Sequence, residues 1–192
     1  MIGIMAKLKF QYFKSSVEES GKLKGHFLLQ SLEAGQGLTI GNALRRVLLS
    51  NLEGIAITGI RIPGIVHEFS TIPNVREDVL EIFLNLKQIV LKSEKQAPTF
   101  GHVSIKGPGV ITASSIKFDD DTIKVINPNQ YIATLSGNET LNFDLKVEKG
   151  IGYQFAEQTN NTEDIEFLAI DTVFMPVLKV NYKINNVYIG YS

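Results

Sequence analysis

Three consecutive carboxylates form the densest group of potential metal ligands in the 192-residue sequence. Asp119, Asp120 and Asp121 offer the hard oxygen atoms that magnesium and calcium prefer. They also separate two short runs of strand-like residues, at 116–118 and 122–124, and aspartate is common in the turns that join strands. The turn is the simpler interpretation, so we predict an acidic hairpin tip rather than a metal site.

A glycine-rich segment lies between a predicted strand and a predicted helix, as in loops that bind dinucleotides. Its glycines are Gly35, Gly37 and Gly41. The third comes one residue too late for that motif, and no acidic residue ends a following strand about 20 positions later, where a ribose would be bound. We therefore predict that these glycines allow close backbone packing at the start of the helix.

Histidine and serine residues do not form a recognisable catalytic or metal-binding pattern. His26, His67 and His102 are isolated from one another and lack the spacing of metal ligands. Ser70 follows His67 closely, but it lacks the flanking glycines of a hydrolase nucleophile. The sequence contains no cysteine, which removes thiolate zinc sites, iron–sulfur clusters and cysteine nucleophiles. We expect no catalytic residue, no metal and no cofactor in this chain.

The overall charge restricts the partners that the chain can bind by itself. It carries 19 Lys and Arg against 20 Asp and Glu, for a net charge of −1. Proteins that grip nucleic acid mainly through its phosphates carry a basic excess, so we expect any contact with DNA to be indirect. No run approaches the roughly 18 apolar residues of a membrane-spanning helix, and we expect a soluble protein with no membrane partner.

Two adjacent arginines, Arg45 and Arg46, interrupt a helix that apolar periodicity predicts over 37–52. Because Leu38 and Leu49 lie away from the main apolar stripe, we expect this helix to be buried on two sides. A buried guanidinium needs a partner. Either the pair extends to solvent, or Arg46 and Leu49 together face another protein, since arginine beside an apolar anchor is typical of interfaces.

Most of the remaining sequence alternates in the manner of β-strands. We predict an opening hairpin from 8–13 and 23–32, strands over 55–62, 65–69, 88–93 and 140–148, and a last hairpin from 178–184 and 187–191. A second helix is predicted over 75–87, where apolar residues recur at helical spacing. Asn74 just before it and Glu77 in its first turn have the spacing of a capping box. Together these elements predict an α+β fold.

Six segments occur in the sequence in an order that identifies a family. They are 38–50, which contains Gly-Asn-Ala-Leu-Arg-Arg, 65–70, which contains His-Glu-Phe-Ser, and then 75–87, 107–113, 150–153 and 169–177. In this order they resemble the N-terminal domain of the alpha subunit of bacterial-type RNA polymerase. The resemblance covers about residues 8–184, and ordered motifs over that length are highly specific.

The resemblance implies two subdomains and a non-catalytic role. A discontinuous helix-plus-sheet dimerisation subdomain would comprise 1–54 and 172–192, and an inserted β-rich subdomain with one helix would comprise 55–171. In the family, two alpha subunits dimerise and then recruit the two large catalytic subunits, which hold the active site for RNA synthesis. The expected partners are therefore a second alpha subunit and both large subunits.

The same resemblance assigns roles to individual residues. Contact with the large subunits is implied for Arg45, Arg46, Leu49, His67, Glu68, Phe69, Ser70, Glu77 and Asp78. Packing inward or across the dimer is implied for Ile40, Leu44, Val47 and Leu48.

The end of the chain departs from the family pattern. Family members continue into another strand and a long helix that packs on the dimer mate, whereas residues 185–191 do not resemble that continuation. We therefore expect the chain to lack the C-terminal helix. The amino-acid sequence of 169–177 and the frequent Asn, Ile and Lys are more typical of a plastid-encoded alpha subunit. We therefore predict the chloroplast stroma as the location of the protein. The bacterial cytoplasm is the alternative, because a start with no targeting segment fits both locations equally.

Two other functions remain open from the residues alone. The first is a free-standing β-rich protein-binding module, in which Arg45 and Arg46 are merely solvated. The second is an enzyme that uses Asp119, Asp120 and Asp121 to hold a metal.

Overall fold

The structure, a computed structural model, describes residues 9–17, 22–93, 98–156 and 167–187. The chain divides into two compact units. The first combines residues up to Val47 with those from Val180 onward, and the second is Leu48–Lys179. The predicted subdomain boundaries at 54/55 and 171/172 stay a prediction. The roles assigned to the two units stay a prediction.

Short antiparallel strands make up most of the fold, and the α+β class is confirmed. The elements in chain order are β1 (Lys9–Val17), β2 (Leu23–Gln30), α1 (Gln36–Ser50), β3 (Glu53–Arg61), α2 (Val79–Leu86), β4 (Leu91–Lys92), β5 (Thr99–Lys106), β6 (Gly109–Thr112), a 3-10 turn (Ala113–Ser115), β7 (Lys117–Phe118), β8 (Lys124–Val125), β9 (Tyr131–Leu135), β10 (Thr140–Ile151), β11 (Tyr153–Gln154), β12 (Leu168–Ala169) and β13 (Thr172–Val173).

The first unit begins with the predicted hairpin of β1 and β2, whose pairing shifts register after Tyr12. The joining residues 18–21 lie outside the described part of the chain. On one face the Phe27 ring stacks on Phe10, with centroids 5.5 Å apart, and tilts against Tyr12 at 5.3 Å. All three rings are nevertheless exposed, so the hairpin buries little apolar surface within the chain.

Helix α1 lies close to the segment that follows Val180. A Cβ at Gly41 would come within 2.7 Å of the Tyr182 ring, and a Cβ at Gly37 within 3.4 Å of Ile184. The Tyr182 hydroxyl also donates to Asn42 Oδ1 at 2.6 Å. Glycine four residues apart clears one helical face for this approach. The prediction of close packing at the helix entry is confirmed for Gly37 and Gly41 and is wrong for Gly35, which has no atom within 4 Å of an added Cβ and a φ of +88°.

The second unit contains a five-stranded antiparallel sheet in the order β12-β3-β10-β5-β7. Its central strand β10 includes the predicted strand over 140–148, and alternation along it directs every second side chain into the core. The four buried residues of this face are Leu141, Phe143, Leu145 and Val147. The buried face of α2 belongs to the same core through Val79, Ile82, Phe83 and Leu86.

The capping of the second helix was predicted incorrectly. The helix begins at Val79, and its N-cap is Asp78, whose Oδ1 accepts from the Glu81 N–H at 2.7 Å. Asn74 adopts a φ of +62°, and Val75 forms a β-bridge with Leu135 instead of opening the helix. Asp78 and Glu81 repeat the same three-residue spacing one turn later, so the local signal was ambiguous.

Three predicted strand assignments are also wrong. Residues 65–69 make turns, with N–H to C=O bonds from Ile65 to Ile62 and from Ser70 to His67. The strand predicted over 88–93 is reduced to β4. Residues 178–187 contain no strand, and 188–191 of the predicted last hairpin lie outside the described residues.

The acidic triplet does not cap a hairpin. Strand β7 before it pairs with β5, and β8 after it pairs with β4, so residues 119–121 connect two different sheets. The turn chemistry itself is present, because Asp120 Oδ1 accepts from the Thr122 N–H at 2.9 Å. The pairing was wrong because both neighbouring strands find longer-range partners.

Gly54 of β3 lies very close to the backbone of Phe174. A Cβ at this position would overlap the Phe174 carbonyl oxygen. We expect Gly54→Ala to destabilise the protein by about 1–3 kcal/mol, because backbone must move to make room. Gly109→Ala is the control, since no atom lies within 4 Å of its added Cβ. Urea unfolding measures both, and equal midpoints for the two variants would contradict the close approach.

Candidate functional site

The apolar residues of α1 remain accessible along the helix. None of its residues is buried, and Leu44 and Val47 are 47% and 48% exposed. The prediction that this helix is buried on two sides is therefore wrong for the single chain. The segment after Val180 packs against the glycine positions Gly37 and Gly41. An exposed row of large apolar side chains is typical of a surface that another protein covers.

The arginine pair lies on this same helix. Arg45 and Arg46 are both exposed, whereas Leu49 in the last turn is half-buried. Ile40 and Leu48, two of the residues assigned to the dimer, are half-buried as well. The helix therefore presents both cationic and apolar groups at its surface, a combination that can bind a protein but supplies no nucleophile or general base.

A second accessible feature is the exposed loop, defined here as residues 65–71. The Phe69 ring is 74% exposed, and Val66 is 83% exposed. His67 Nδ1 and Ser70 Oγ lie 2.9 Å apart and share a hydrogen bond, while Glu68 is half-buried. The His-Glu-Phe-Ser residues that the sequence singled out thus lie on one accessible loop, in which His67 and Ser70 are hydrogen-bonded.

The two acidic residues before α2 are engaged within the chain. Glu77 is only 4% exposed, and its carboxylate accepts hydrogen bonds from the Tyr131 hydroxyl and from the Thr134 N–H. Burial, followed by the hydrogen bond to Glu77, raises the pKa of Tyr131. Asp78 caps the helix. The structure therefore places Glu77 inside the second unit, and not on the accessible surface where a contact residue was expected.

A charged network on the five-stranded sheet was not predicted. His102 Nδ1 lies 2.6 Å from Asp144 Oδ1, and the Arg61 guanidinium donates to Asp144 Oδ2 at 2.7 Å. His102 Nε2 also lies 3.1 Å from Asp119 Oδ1. His102 and Asp144 face each other across β5 and β10, and this register is the signal that links residues so far apart in sequence.

The network alters the protonation of its members. The hydrogen bond to Asp144 is the main reason that the pKa of His102 is raised above 6.5, and Asp119 contributes in the same direction. Burial acts to raise the pKa of Asp144, but its bonds from His102 and Arg61 together lower it. His102 therefore carries its positive charge to higher pH than an isolated histidine.

A second unpredicted cluster surrounds Asp171. This carboxylate accepts from the Ala156 N–H at 2.8 Å and from the Tyr153 hydroxyl at 3.0 Å, and both bonds lower the pKa of Asp171. The bond to Asp171 raises the pKa of Tyr153. Lys87 lies over the Tyr153 ring, 5.9 Å from its centroid. The cluster holds β11 next to the segment before β13, and its role is structural.

Within the described ranges, no three or more His, Cys, Asp or Glu side chains are grouped so that they could hold a metal ion. The two helices of the described chain are too short or too polar to cross a membrane.

More than half of the chain matches a known protein family. Residues 60–175 match the family described as the RNA polymerase Rpb3/RpoA insert domain. The chain belongs to this family. The match includes α2 and every strand from β4 to β13, that is, most of the second unit.

Longer relatives extend the similarity to the first unit. The chain is 50% identical over 184 residues to the "DNA-directed RNA polymerase subunit alpha" of Phaeodactylum tricornutum, covering 96% of this chain and 59% of the relative. It is 52% identical over 175 residues to that of Trieres chinensis, covering 91% and 56%. For that of Trichodesmium erythraeum it is 47% identical over 190 residues, covering 98% and 60%. The chain thus spans somewhat more than half the length of these relatives.

The His102 network in this insert-domain fold predicts a pH-dependent stability. Because the pKa of His102 is raised in the folded state, its contribution is complete below about 6.5 and is lost as pH rises through the folded value. We expect the melting temperature of the parent to fall relative to that of His102→Gln between pH 6 and 8.5. The difference should be a few degrees at most, since partly exposed ion pairs contribute less than about 1 kcal/mol.

The contribution of Asp144 depends on pH in the opposite direction. Because the pKa of Asp144 is lowered in the folded state, this residue stabilises the fold above about pH 3.8, and the effect is lost only at more acidic pH. It therefore does not mask the histidine effect in the tested range. Ser104→Ala, at an exposed position of β5 that does not titrate, is the control and should keep the parental pH profile. Identical profiles for the parent and His102→Gln would show that the network does not contribute.

Proposed function

We propose that the chain is an assembly subunit of DNA-directed RNA polymerase, which pairs with a second alpha subunit and recruits the two large catalytic subunits. Family membership and the names of the relatives support this role. The observation that carries it is α1: the helix with the Gly-Asn-Ala-Leu-Arg-Arg motif keeps its apolar and cationic side chains accessible.

In this role the chain takes part in nucleotidyl transfer as a scaffold, and the large subunits supply the catalytic residues. The exposed surfaces of α1 and of the exposed loop carry groups suited to protein contact. DNA would be approached only through the assembled enzyme, which is consistent with the net charge of −1. We place the complex in the chloroplast stroma, with the bacterial cytoplasm as the alternative, because relatives of both origins match equally along the chain.

Dimerisation is assigned to the first unit. Its hairpin exposes Phe10, Tyr12 and Phe27, and a two-stranded hairpin without cover is marginally stable in water. Together with Leu44 and Val47 of α1, these side chains offer apolar area for a second copy. Ile40 and Leu48 would pack beneath this surface. A homodimer would bury groups that the chain by itself leaves in water.

Contact with the second-largest subunit is assigned to Arg46 and Leu49, with Arg45 beside them. The exposed loop would extend this contact through His67, Glu68, Phe69 and Ser70. A phenylalanine ring that is mostly exposed in the free chain gains much apolar burial on binding. Asp78 lies beside the loop as the cap of α2.

The alternative function, a free-standing β-rich binding module, makes a different prediction. Such a protein would be monomeric and would not bind polymerase subunits. The exposed aromatic hairpin argues against it, because an isolated module gains nothing from leaving these rings in water.

Capture of the chain by the second-largest polymerase subunit tests the proposed role. We expect the parent chain to be captured, and Arg46→Ala and Leu49→Ala each to weaken binding by about 2 kcal/mol, roughly thirtyfold. The measurement is a titrated pull-down with the second-largest subunit of Phaeodactylum tricornutum RNA polymerase.

Lys106→Ala and Ile126→Ala are matched controls, because both residues are exposed in the second unit and neither is among the assigned contacts. Circular dichroism checks that all variants are folded. A folded parent that captures nothing would refute the assembly role and favour the binding module.

A further inference from the structure

The segment before α2 is fastened to the end of β9 by backbone bonds. Residues 74–76 run beside 134–136, and Val75 forms a β-bridge with Leu135. The flanking bonds run from the Arg76 N–H to the Thr134 carbonyl at 3.0 Å and from the Ser136 N–H to the Asn74 carbonyl at 2.7 Å. This short pairing ends at Arg76, one residue before Glu77.

Glu77 continues the attachment with its side chain. One carboxylate oxygen accepts from the Tyr131 hydroxyl and the other from the Thr134 N–H at 2.7 Å. The Tyr131 hydroxyl also lies 2.6 Å from Thr134 Oγ1. A carboxylate that is 4% exposed is costly to bury unless its oxygens are satisfied, and here both oxygens have partners on β9. Glu77 thus acts as a two-point anchor.

A few backbone hydrogen bonds connect the exposed loop to the residues beside this anchor. The Val79 N–H donates to the Ser70 carbonyl at 3.2 Å, and Thr71 forms a β-bridge with Asp78. Both contacts involve residues that immediately follow Glu77. Beyond them the loop carries Phe69, whose ring makes the largest apolar contribution to its surface. The residues that immediately follow Phe69 are therefore bonded to the residues that immediately follow Glu77.

We propose that Glu77 is a positioning residue for partner binding: through Tyr131 and Thr134 it holds the exposed loop in the conformation that the second-largest polymerase subunit binds. This inference rests on the proposed function. Glu77 itself is too deeply buried to touch the partner. Its effect is on preorganisation, because a loop that is already ordered loses less conformational entropy on binding.

Two conservative variants remove the anchor in different ways. Glu77→Gln removes the charge while keeping one oxygen that can accept a bond, and Tyr131→Phe removes the hydroxyl while leaving the carboxylate in place. We expect each to weaken binding to the second-largest subunit of Phaeodactylum tricornutum RNA polymerase about tenfold, which equals ~1.4 kcal/mol. The double variant should lose little more, since both act on one contact.

Hydrogen–deuterium exchange on the same variants provides the second measurement. Exchange should become faster in residues 65–79 and remain unchanged in β10, whose pairing does not involve the anchor. Phe69→Ala should weaken binding without changing exchange at 74–79. Glu139→Gln is the matched control, because this carboxylate is exposed on the turn before β10, and it should alter neither measurement.

The outcomes separate the two hypotheses. If the parent binds and Phe69→Ala does not, but Glu77→Gln and Tyr131→Phe bind normally with a loosened loop, the anchor is purely structural and the positioning role is refuted. Weaker binding with unchanged exchange at 65–79 would also refute it, because that result requires direct contact. A folded parent that fails to bind refutes the proposed function itself.

Discussion

The strand β10 holds the second unit together because it pairs with β3 along one edge and with β5 along the other. Its twelve residues bury one face completely enough to form the centre of the core. The other face carries Asp144, which joins Arg61 of β3 to His102 of β5. The remaining elements of this unit, including α2 and β9, are arranged around this sheet and its core. The loops that carry the proposed contacts therefore project from a rigid base.

The two units differ in how much of their apolar surface they bury within themselves. Every fully buried hydrophobic residue of the described chain lies in the second unit, from Ile57 to Phe174. The described part of the first unit contains none, although its hairpin and α1 are rich in large apolar side chains. Hydrophobic burial is the main source of folding free energy. In the assembly that we propose, the first unit obtains much of that burial from other subunits, which links its stability to its function.

Sequence periodicity was informative where one element faces a single environment. The alternation over 140–148 predicted β10 closely, because pattern and burial have the same period. The stripe of α1 predicted the position of that helix but not its burial. It was misleading where a long-range partner competes with a local rule. Asn74 and Glu77 have the spacing of a capping box, but β9 offers Glu77 a hydroxyl and a backbone N–H. Burial in that site outweighs a cap on the surface, and the helix begins later, at Val79, with Asp78 as its N-cap.

The amino-acid sequence by itself determined the fold class, the main helix with its arginine pair, and the family, since each depends on local pattern or on ordered motifs. Tertiary structure alone decided which acidic residues face inward, where α2 begins, and that His102, Asp144 and Arg61 meet. The physical reason is that cross-strand register joins residues separated by 42 and 83 positions. No local rule contains that register, because it is selected by the packing of the whole core.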